Sequence, residues 1–286
     1  MITLRANAKI NLSLDVLGKR KDGYHELDMV MQSVSLFDTV TVAQAHGIRV
    51  SMDVPGVDEQ RNTAYTAAKA FCEITGCDGA SIAVQKRIPS EAGLGGSSAD
   101  AAAVLIGLNH LYQTNLSDET LSAIGVKIGA DVPFALTGGT VRAGGIGEKL
   151  RPFTLGKPLH FVIVKPHAGV STPQAFAAFK KASPIRMDSV QYALTAGDLS
   201  LYHKYADNAL GMAALSLSPD IMRAADALKK AGARKAMMSG SGSAMFAVFA
   251  SARQASEAAA RVSGDFEHVG AYACAETGVQ IMEDEA

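Results

Sequence analysis

Residues 86–109 read KRIPSEAGLGGSSADAAAVLIGLN, and the order of elements around them decides the fold. An apolar, strand-like run over residues 80–84 leads into Pro89 and a glycine-rich loop closed by Ser97 and Ser98. An alanine-rich helix follows at once. That order builds an anion site. Gly93, Gly95 and Gly96 admit positive φ and close backbone approach, so successive N–H groups can turn inward on phosphate oxygens. The helix adds its own free N–H groups and the positive end of its dipole. Small residues at Ala99, Ala101, Ala102 and Ala103 let that helix pack closely on its neighbours. The same residues also suit a surface turn ahead of a core helix, because glycine and serine punctuate ordinary loops too. Two familiar phosphate loops are excluded. A Walker A loop needs glycine, lysine and serine or threonine in succession, which occurs nowhere in the chain. A dinucleotide fingerprint needs a third glycine where Ser98 stands.

Working outward, the chain has 286 residues and a formal net charge of −1. This is enough for one large or two moderate domains, with ample core material. Near-neutral charge argues against a nucleic-acid footprint or an anionic membrane surface, though not against a small local anion site. The N-terminal MITLRANAKINLS lacks the apolar region of a secretory signal. The most apolar short runs, residues 161–164 and 244–250, are far too short to cross a bilayer. Cys72, Cys77 and Cys274 lack C-x-x-C spacing and read as reduced thiols. Together these features point to a cytoplasmic protein.

Strand signals dominate the first fifty residues. Ala8, Ile10, Leu12, Leu14 and Val16 alternate with Lys9, Asn11, Ser13 and Asp15, the period of a half-buried strand. Strands are also expected over 29–42, 48–54, 80–87, 138–142 and 159–165. Helices are expected over 62–75, from the glycine loop to about Tyr112, and over 117–128, where Ser117 is an N-cap followed by acidic residues. Beyond residue 160 the texture changes. Helices over 172–181, 190–196, 208–215, 219–231 and 252–262 interleave with strands over 235–238, 244–250 and 270–274. This is an α+β chain with two lobes, divided into residues 1–155 and 156–286.

Four further segments carry candidate chemistry, each with a plain structural reading beside it. Lys9 is a lone cation on the first strand, or a solvated strand lysine. The basic turn from Gly18 to His25 ends in Tyr24, a flat face for a ring, and His25, a donor and acceptor for a ring edge; it also suits a solvated turn. In GADVPF, residues 129–134, Asp131 stands between a glycine and a proline, as a turn or N-cap aspartate also would. SGSGSA, residues 239–244, is a second glycine-serine turn that fits a tight hairpin equally well.

Taken in order, AKINL, DGYHEL, IPSEAGLGGSSADAA, GADVPF and SGSGSA resemble the GHMP small-molecule kinases over nearly the whole chain. The resemblance implies a two-lobed GHMP kinase fold. Its N-terminal lobe would be similar to a ribosomal S5-like domain and its C-terminal lobe to a split β-α-β layer. ATP, accompanied by Mg²⁺, would lie over Pro89, Ser90, Glu91, Ala92, Gly93, Leu94, Gly95, Gly96, Ser97, Ser98 and Ala99. Lys9 and Asp131 would take the family's catalytic places. GKRKDGYHEL and GADVPF are similar to the branch that phosphorylates the 2-hydroxyl of a cytidylyl diphosphate alcohol in the non-mevalonate route to isoprenoid precursors. On that reading Tyr24 and His25 bind cytosine, Ile146 offers its backbone to the base edge, and Asn11 and Lys86 neighbour the substrate and nucleotide. No resident metal is implied, the partner is a small molecule rather than nucleic acid or membrane, and the protein is a monomer or homodimer. The alternatives are another GHMP kinase, acting on mevalonate, homoserine or a sugar, and a non-catalytic nucleotide-binding regulator. One departure stands out: where relatives carry more glycine, this chain has Glu91, which is expected to face solvent.

Overall fold

In the computed structural model, residues 1–54, 62–180 and 183–282 are described. Two strands of unusual length open the chain. β1 (Ile2–Lys19) and β2 (His25–Gln44) form an antiparallel hairpin. Its register slips between Asn7 and Lys9, between Asn11 and Ser13, and between Val16 and Gly18. Such bulges bend a strand and re-aim its side chains. The first sheet runs β11-β1-β2-β4-β3, with β5 also on β2 and β6 on β5. Its other members are β3 (Gly47–Met52), β4 (Gly79–Gln85), β5 (Thr140–Gly145), β6 (Lys149–Pro152) and β11 (Val279–Met282). The second sheet runs β10-β7-β9-β8, from β7 (His160–Lys165), β8 (Ala236–Met238), β9 (Met245–Phe249) and β10 (His268–Ala273).

Three helices cover the first sheet. α1 (Thr63–Thr75) starts at Asn62, whose side chain accepts the Ala64 N–H at 2.8 Å, and ends at left-handed Gly76. α2 (Gly96–Leu111) is the alanine-rich helix. Ala99, Ala101, Ala102 and Ala103 are buried, and Gly107 lies close against Leu4 and Val42. α3 (Asp118–Ile128) is capped by Ser117 as expected. The short α4 (Val132–Thr137) follows. α9 (Asp220–Lys230) and α10 (Ala252–Arg261) lie on the second sheet, α8 (Gly211–Leu217) packs between α9 and α5 (Thr172–Ala178), and α6 (Met187–Ala196) packs on β1 and β2 and carries α7 (Leu199–Tyr205). The helix expected over 172–181 ends earlier, because Phe179 is extended; Lys181 lies outside the described residues.

Two expectations need correcting. Residues 8–15 are buried on both faces of β1, not one. Asn11, Ser13 and Asp15 lie beneath connections between elements of the far half, at Ser239, Asp207 and Ile185, and Lys9 lies against Leu94 and Asp131. The Leu14 N–H donates to Asp207 O and the Ala209 N–H to Leu14 O, both at 2.9 Å. The Tyr202 hydroxyl donates to Leu12 O at 2.9 Å. Cys72 and Cys77, expected as thiols, are joined in a disulfide, because the Gly76 turn brings their Cα atoms to 4.7 Å. Among the described residues no helix is long and apolar enough to cross a membrane. The strands before and after residue 155 separate between the two sheets, except that β11 returns to the first.

That return depends on a bare backbone crossing. A Cβ on Gly138 would collide with the backbone of Thr277 and Gly278, and one on Gly278 with the Ala135 carbonyl. Gly138 also has φ 71° and ψ −166°, a region essentially reserved for glycine. Gly138→Val is therefore expected to lower the unfolding free energy by about 2–4 kcal/mol, read as a lower urea midpoint. A midpoint equal to wild type would show that β11 docks without this crossing.

Candidate active site

The glycine loop and the second glycine-serine turn are stitched together. The Ser239 hydroxyl donates to Gly93 O at 2.8 Å, and the N–H groups of Ser243 and Ala244 donate to Glu91 O and Ala92 O, each at 3.1 Å. The Lys9 N–H donates to Leu94 O at 2.9 Å. Four successive loop carbonyls are thus occupied from one side by β1 and the turn between β8 and β9. Gly93 and Gly95 sit at φ 71° and 72°, and a Cβ on Gly93 would strike the Ser239 carbonyl. Gly95 is also the N-cap of α2, with no side chain capping it. The opening N–H groups of α2 are left to the cavity, which is about 580 Å³ and is lined by the loop from Pro89 to Ser98, by Lys9, Asn11, Lys86, Asp131 and Ile146, and by apolar side chains of the first sheet together with Val170, Phe176 and Leu210.

Lys9 lies on β1 between two of its bulges, only 6% exposed. Its ammonium donates to Asn11 Oδ1 at 2.6 Å and lies 3.3 Å from Asp131 Oδ2. Asn11 is held in turn: its N–H donates to Ser239 Oγ at 3.2 Å. Asp131 is the N-cap residue of α4, yet its carboxylate makes no capping bond. It stays 30% exposed, paired with Lys9 and open to the cavity. Gly147, from the turn between β5 and β6, approaches it closely on the other side. The arrangement sets one fixed cation and one available carboxylate beside a helix N-terminus, which suits transfer of an anionic group to a hydroxyl.

The remaining expected residues are disposed differently. Ala99 is buried in α2 behind the loop. Glu91 is exposed with φ 49°, its side chain lying over Gly169. Tyr24 is 60% exposed at the β1–β2 turn. His25 stacks on Phe176 of α5, with ring centroids 4.8 Å apart and planes at 21°. Phe176 itself lines the cavity. Nothing local in the sequence of α5 marks Phe176 for this place. The Ile146 N–H donates to Glu148 Oε2 at 2.6 Å, which folds Glu148 back over Gly145.

Lys86 is not a free ammonium. It bonds Asp38 and, at 2.7 Å, Asp100 Oδ2, and both carboxylates are buried. Asp38 also accepts the N–H groups of Arg87 and Ile88, at 2.6 and 2.8 Å. Burial raises the Asp100 carboxyl against the pull of Lys86, to about 7. The sequence signals that mark the loop do not reveal Asp38, because it sits 48 residues from Lys86 inside a strand.

Comparison with known proteins gives the family. Residues 62–139 match the family model of the GHMP kinases N terminal domain, and residues 190–268 that of the GHMP kinases C terminal. The 4-diphosphocytidyl-2-C-methyl-D-erythritol kinase of Carboxydothermus hydrogenoformans is 45% identical, over 88% of this chain and 90% of its own. That of Pelotomaculum thermopropionicum is 41% identical, over 91% and 93%. A crystal structure of 4-(cytidine 5'-diphospho)-2C-methyl-D-erythritol kinase superposes with a TM-score of 0.82 at 33% identity, covering 96% of this chain and 99% of that one. A homoserine kinase from Cytophaga hutchinsonii shares the fold, with a TM-score of 0.76 at 21% identity over 98% and 97% of the two chains. The chain belongs to the GHMP kinase family, an enzyme family of small-molecule kinases, and has its α+β fold.

The loop geometry yields a direct test. A side chain at Gly95 would meet Lys9 Cγ at 2.9 Å and strain a left-handed backbone. Gly95→Val is expected to lower ATP affinity at least tenfold, with far-UV circular dichroism nearly unchanged. Glu91→Ala, whose side chain points away over Gly169, should alter ATP affinity less than threefold. A large gain in affinity for Glu91→Ala would place that carboxylate against the phosphates instead.

Proposed function

We propose that this GHMP kinase transfers the γ-phosphoryl group of ATP to the 2-hydroxyl of 4-diphosphocytidyl-2-C-methyl-D-erythritol, with Lys9 and Asp131 as its catalytic residues. The observation that carries the proposal is the Lys9–Asp131 pair, 3.3 Å apart, with Lys9 packed beside Gly95 at the open end of α2. The identity to named kinases of that substrate supports the choice of alcohol.

Phosphoryl transfer asks mainly for positioning and charge neutralisation, because its transition state is loose and spreads charge over oxygens. The loop from Pro89 to Ser98 and the first turn of α2 hold the phosphates by backbone N–H groups. Mg²⁺ enters with ATP as part of the co-substrate and offsets phosphate charge. Among the described residues no group of three or more His, Cys, Asp or Glu is disposed to hold a metal of its own. Lys9, fixed by Asn11, stabilises charge on the transferred group. Asp131, free of any capping bond, accepts the proton of the attacking hydroxyl; such assistance is worth about 10²–10⁴-fold in rate. Cytosine is held at the Tyr24–His25 end, where Phe176 extends the aromatic surface. The Ile146 amide reaches the base edge once Glu148 yields it. Use of ATP supports a cytoplasmic location, and the division of the strands between two sheets supports a lobe boundary near residue 155.

Asp131→Asn should leave ATP affinity within a few-fold and lower turnover by about 10²-fold or more. Lys9→Met should act in the same direction. Near wild-type turnover in Asp131→Asn would remove the base assignment.

Tyr24→Ala should raise KM for the cytidylyl alcohol about ten- to a hundredfold while sparing ATP, as loss of a stacked base would. CMP should compete with the alcohol rather than with ATP. Efficient phosphorylation of mevalonate or homoserine, with the cytidylyl alcohol ignored, would overturn the substrate assignment and leave the kinase assignment standing.

A further inference from the structure

Beneath the glycine loop, one cation serves two buried carboxylates. Lys86 follows β4, Asp38 comes from β2 and Asp100 from the second turn of α2. Asp38 is saturated: one oxygen takes two backbone N–H groups, the other the ammonium. Asp100 is not. Its Oδ2 takes the ammonium, but its Oδ1, on a residue 1% exposed, has no hydrogen-bond partner. Lys86 and Asp100 both line the cavity, and a Cβ on Gly96 would lie 3.3 Å from the Lys86 ammonium. A triad with both carboxylates ionised therefore puts a net charge of −1 directly under the place where a polyphosphate lies.

We propose that Asp38, Lys86 and Asp100 form a proton-coupled positioning unit for the phosphate loop, in which nucleotide binding draws one proton from solvent onto Asp100. The proton neutralises the triad. It also gives the half-satisfied Asp100 carboxyl an O–H donor in place of an unpaired anionic oxygen. Among the described residues, the other charged groups on this cavity are Lys9 of β1 and Asp131 ahead of α4, which offset one another at 3.3 Å, and Glu91 of the glycine loop, whose side chain lies over Gly169. Asp53 approaches only through the Lys86 backbone N–H. α1 brings uncharged Asn62 and Thr63, the latter bonded to Ser97 O. Asp100 titrates where such a switch is useful: burial foremost, then Asp38, push its carboxyl up to about 7 despite Lys86. The sign follows. Below that value the proton is already present and affinity is flat; above it the bound nucleotide must recruit the proton, so affinity falls as pH rises.

This inference rests on reading the cavity as a nucleotide site. The test is calorimetric titration of the full chain with MgADP at pH 7.5, in buffers of different ionisation heat, beside affinity measured from pH 6.5 to 8.5. Wild type should take up a fraction of a proton, and its affinity should fall by about three- to tenfold across that range, relative to Asp100→Asn measured identically. Asp100→Asn mimics the neutral form, so its proton uptake should vanish and its affinity at pH 8.5 should equal or exceed wild type. The comparison cancels titration of the nucleotide itself, and a merely structural role would move unfolding rather than proton count. Should the variant fail to fold, net proton uptake by wild type supports the proposal and its absence overturns it. Equal proton counts in the two proteins overturn it while leaving the kinase assignment intact. Failure of wild type to bind MgADP at all would overturn both.

Discussion

The polar face of β1 is the constraint on which the rest of the molecule depends. Lys9, Asn11, Ser13 and Asp15 carry the groups a solvated strand would turn to water, yet all four are buried. Burying such groups is costly unless each finds a partner. Each does: Lys9 and Asn11 pair with one another and with Asp131 and Met29, while Ser13 and Asp15 take partners from the far half of the chain. The Asn11 backbone N–H donates to Ser239 Oγ, the Ser13 hydroxyl donates to Asp207 O, and Asp15 accepts the Ile185 N–H. The two sheets are therefore fixed to one another by a row of polar contacts rather than by apolar packing alone. A slip of one residue would leave several buried groups unpaired together. Lys9 is the member of this row whose partner, Asp131, stays partly exposed, and the chemistry is placed there.

This row also explains what the sequence made legible. Alternation over residues 8–16 identifies a strand, since it reports the pleat, but it cannot report what covers the polar face. Partners 170 to 228 positions away are invisible to a local pattern. The loop at 86–109 was readable for the opposite reason: strand, turn and helix start are contiguous, and glycine chemistry is local. Asp131 was visible as a lone carboxylate between glycine and proline, while its pairing with Lys9 came only through the family resemblance. Phe176, Asp38 and Glu148 carried no such mark. α4, β6 and β11 were missed because each is only four to six residues long, and β11 exists by virtue of its pairing with β1 across the whole chain. The paired cysteines were misread because a left-handed glycine between them, not their spacing, brings them together.

The glycine loop shows how little of the site is side-chain chemistry. Its carbonyls are engaged from one side by Lys9, Ser239, Ser243 and Ala244. Fixing the carbonyls orients the peptide planes, and oriented peptides need no reorganisation when charge develops nearby. Gly93 is intolerant of a side chain because the Ser239 carbonyl already occupies that space. The two glycine-serine segments, unremarkable separately, are thus one device built from both halves of the chain.

Lysine use separates this architecture from loops in which a lysine reaches up to the phosphates. Here Lys86 points into the protein and is consumed by Asp38 and Asp100. It ties the end of β4 to β2 and to the second turn of α2, holding the loop at both of its ends. Attraction for phosphate is left to backbone N–H groups, the helix dipole and Lys9. A lysine so used brings no free positive charge to the loop, and a second carboxylate would make the anchor itself repulsive. Keeping that second carboxylate buried, half-satisfied and raised toward neutrality resolves the conflict, because the anchor can then lose its excess charge at the moment a polyphosphate arrives.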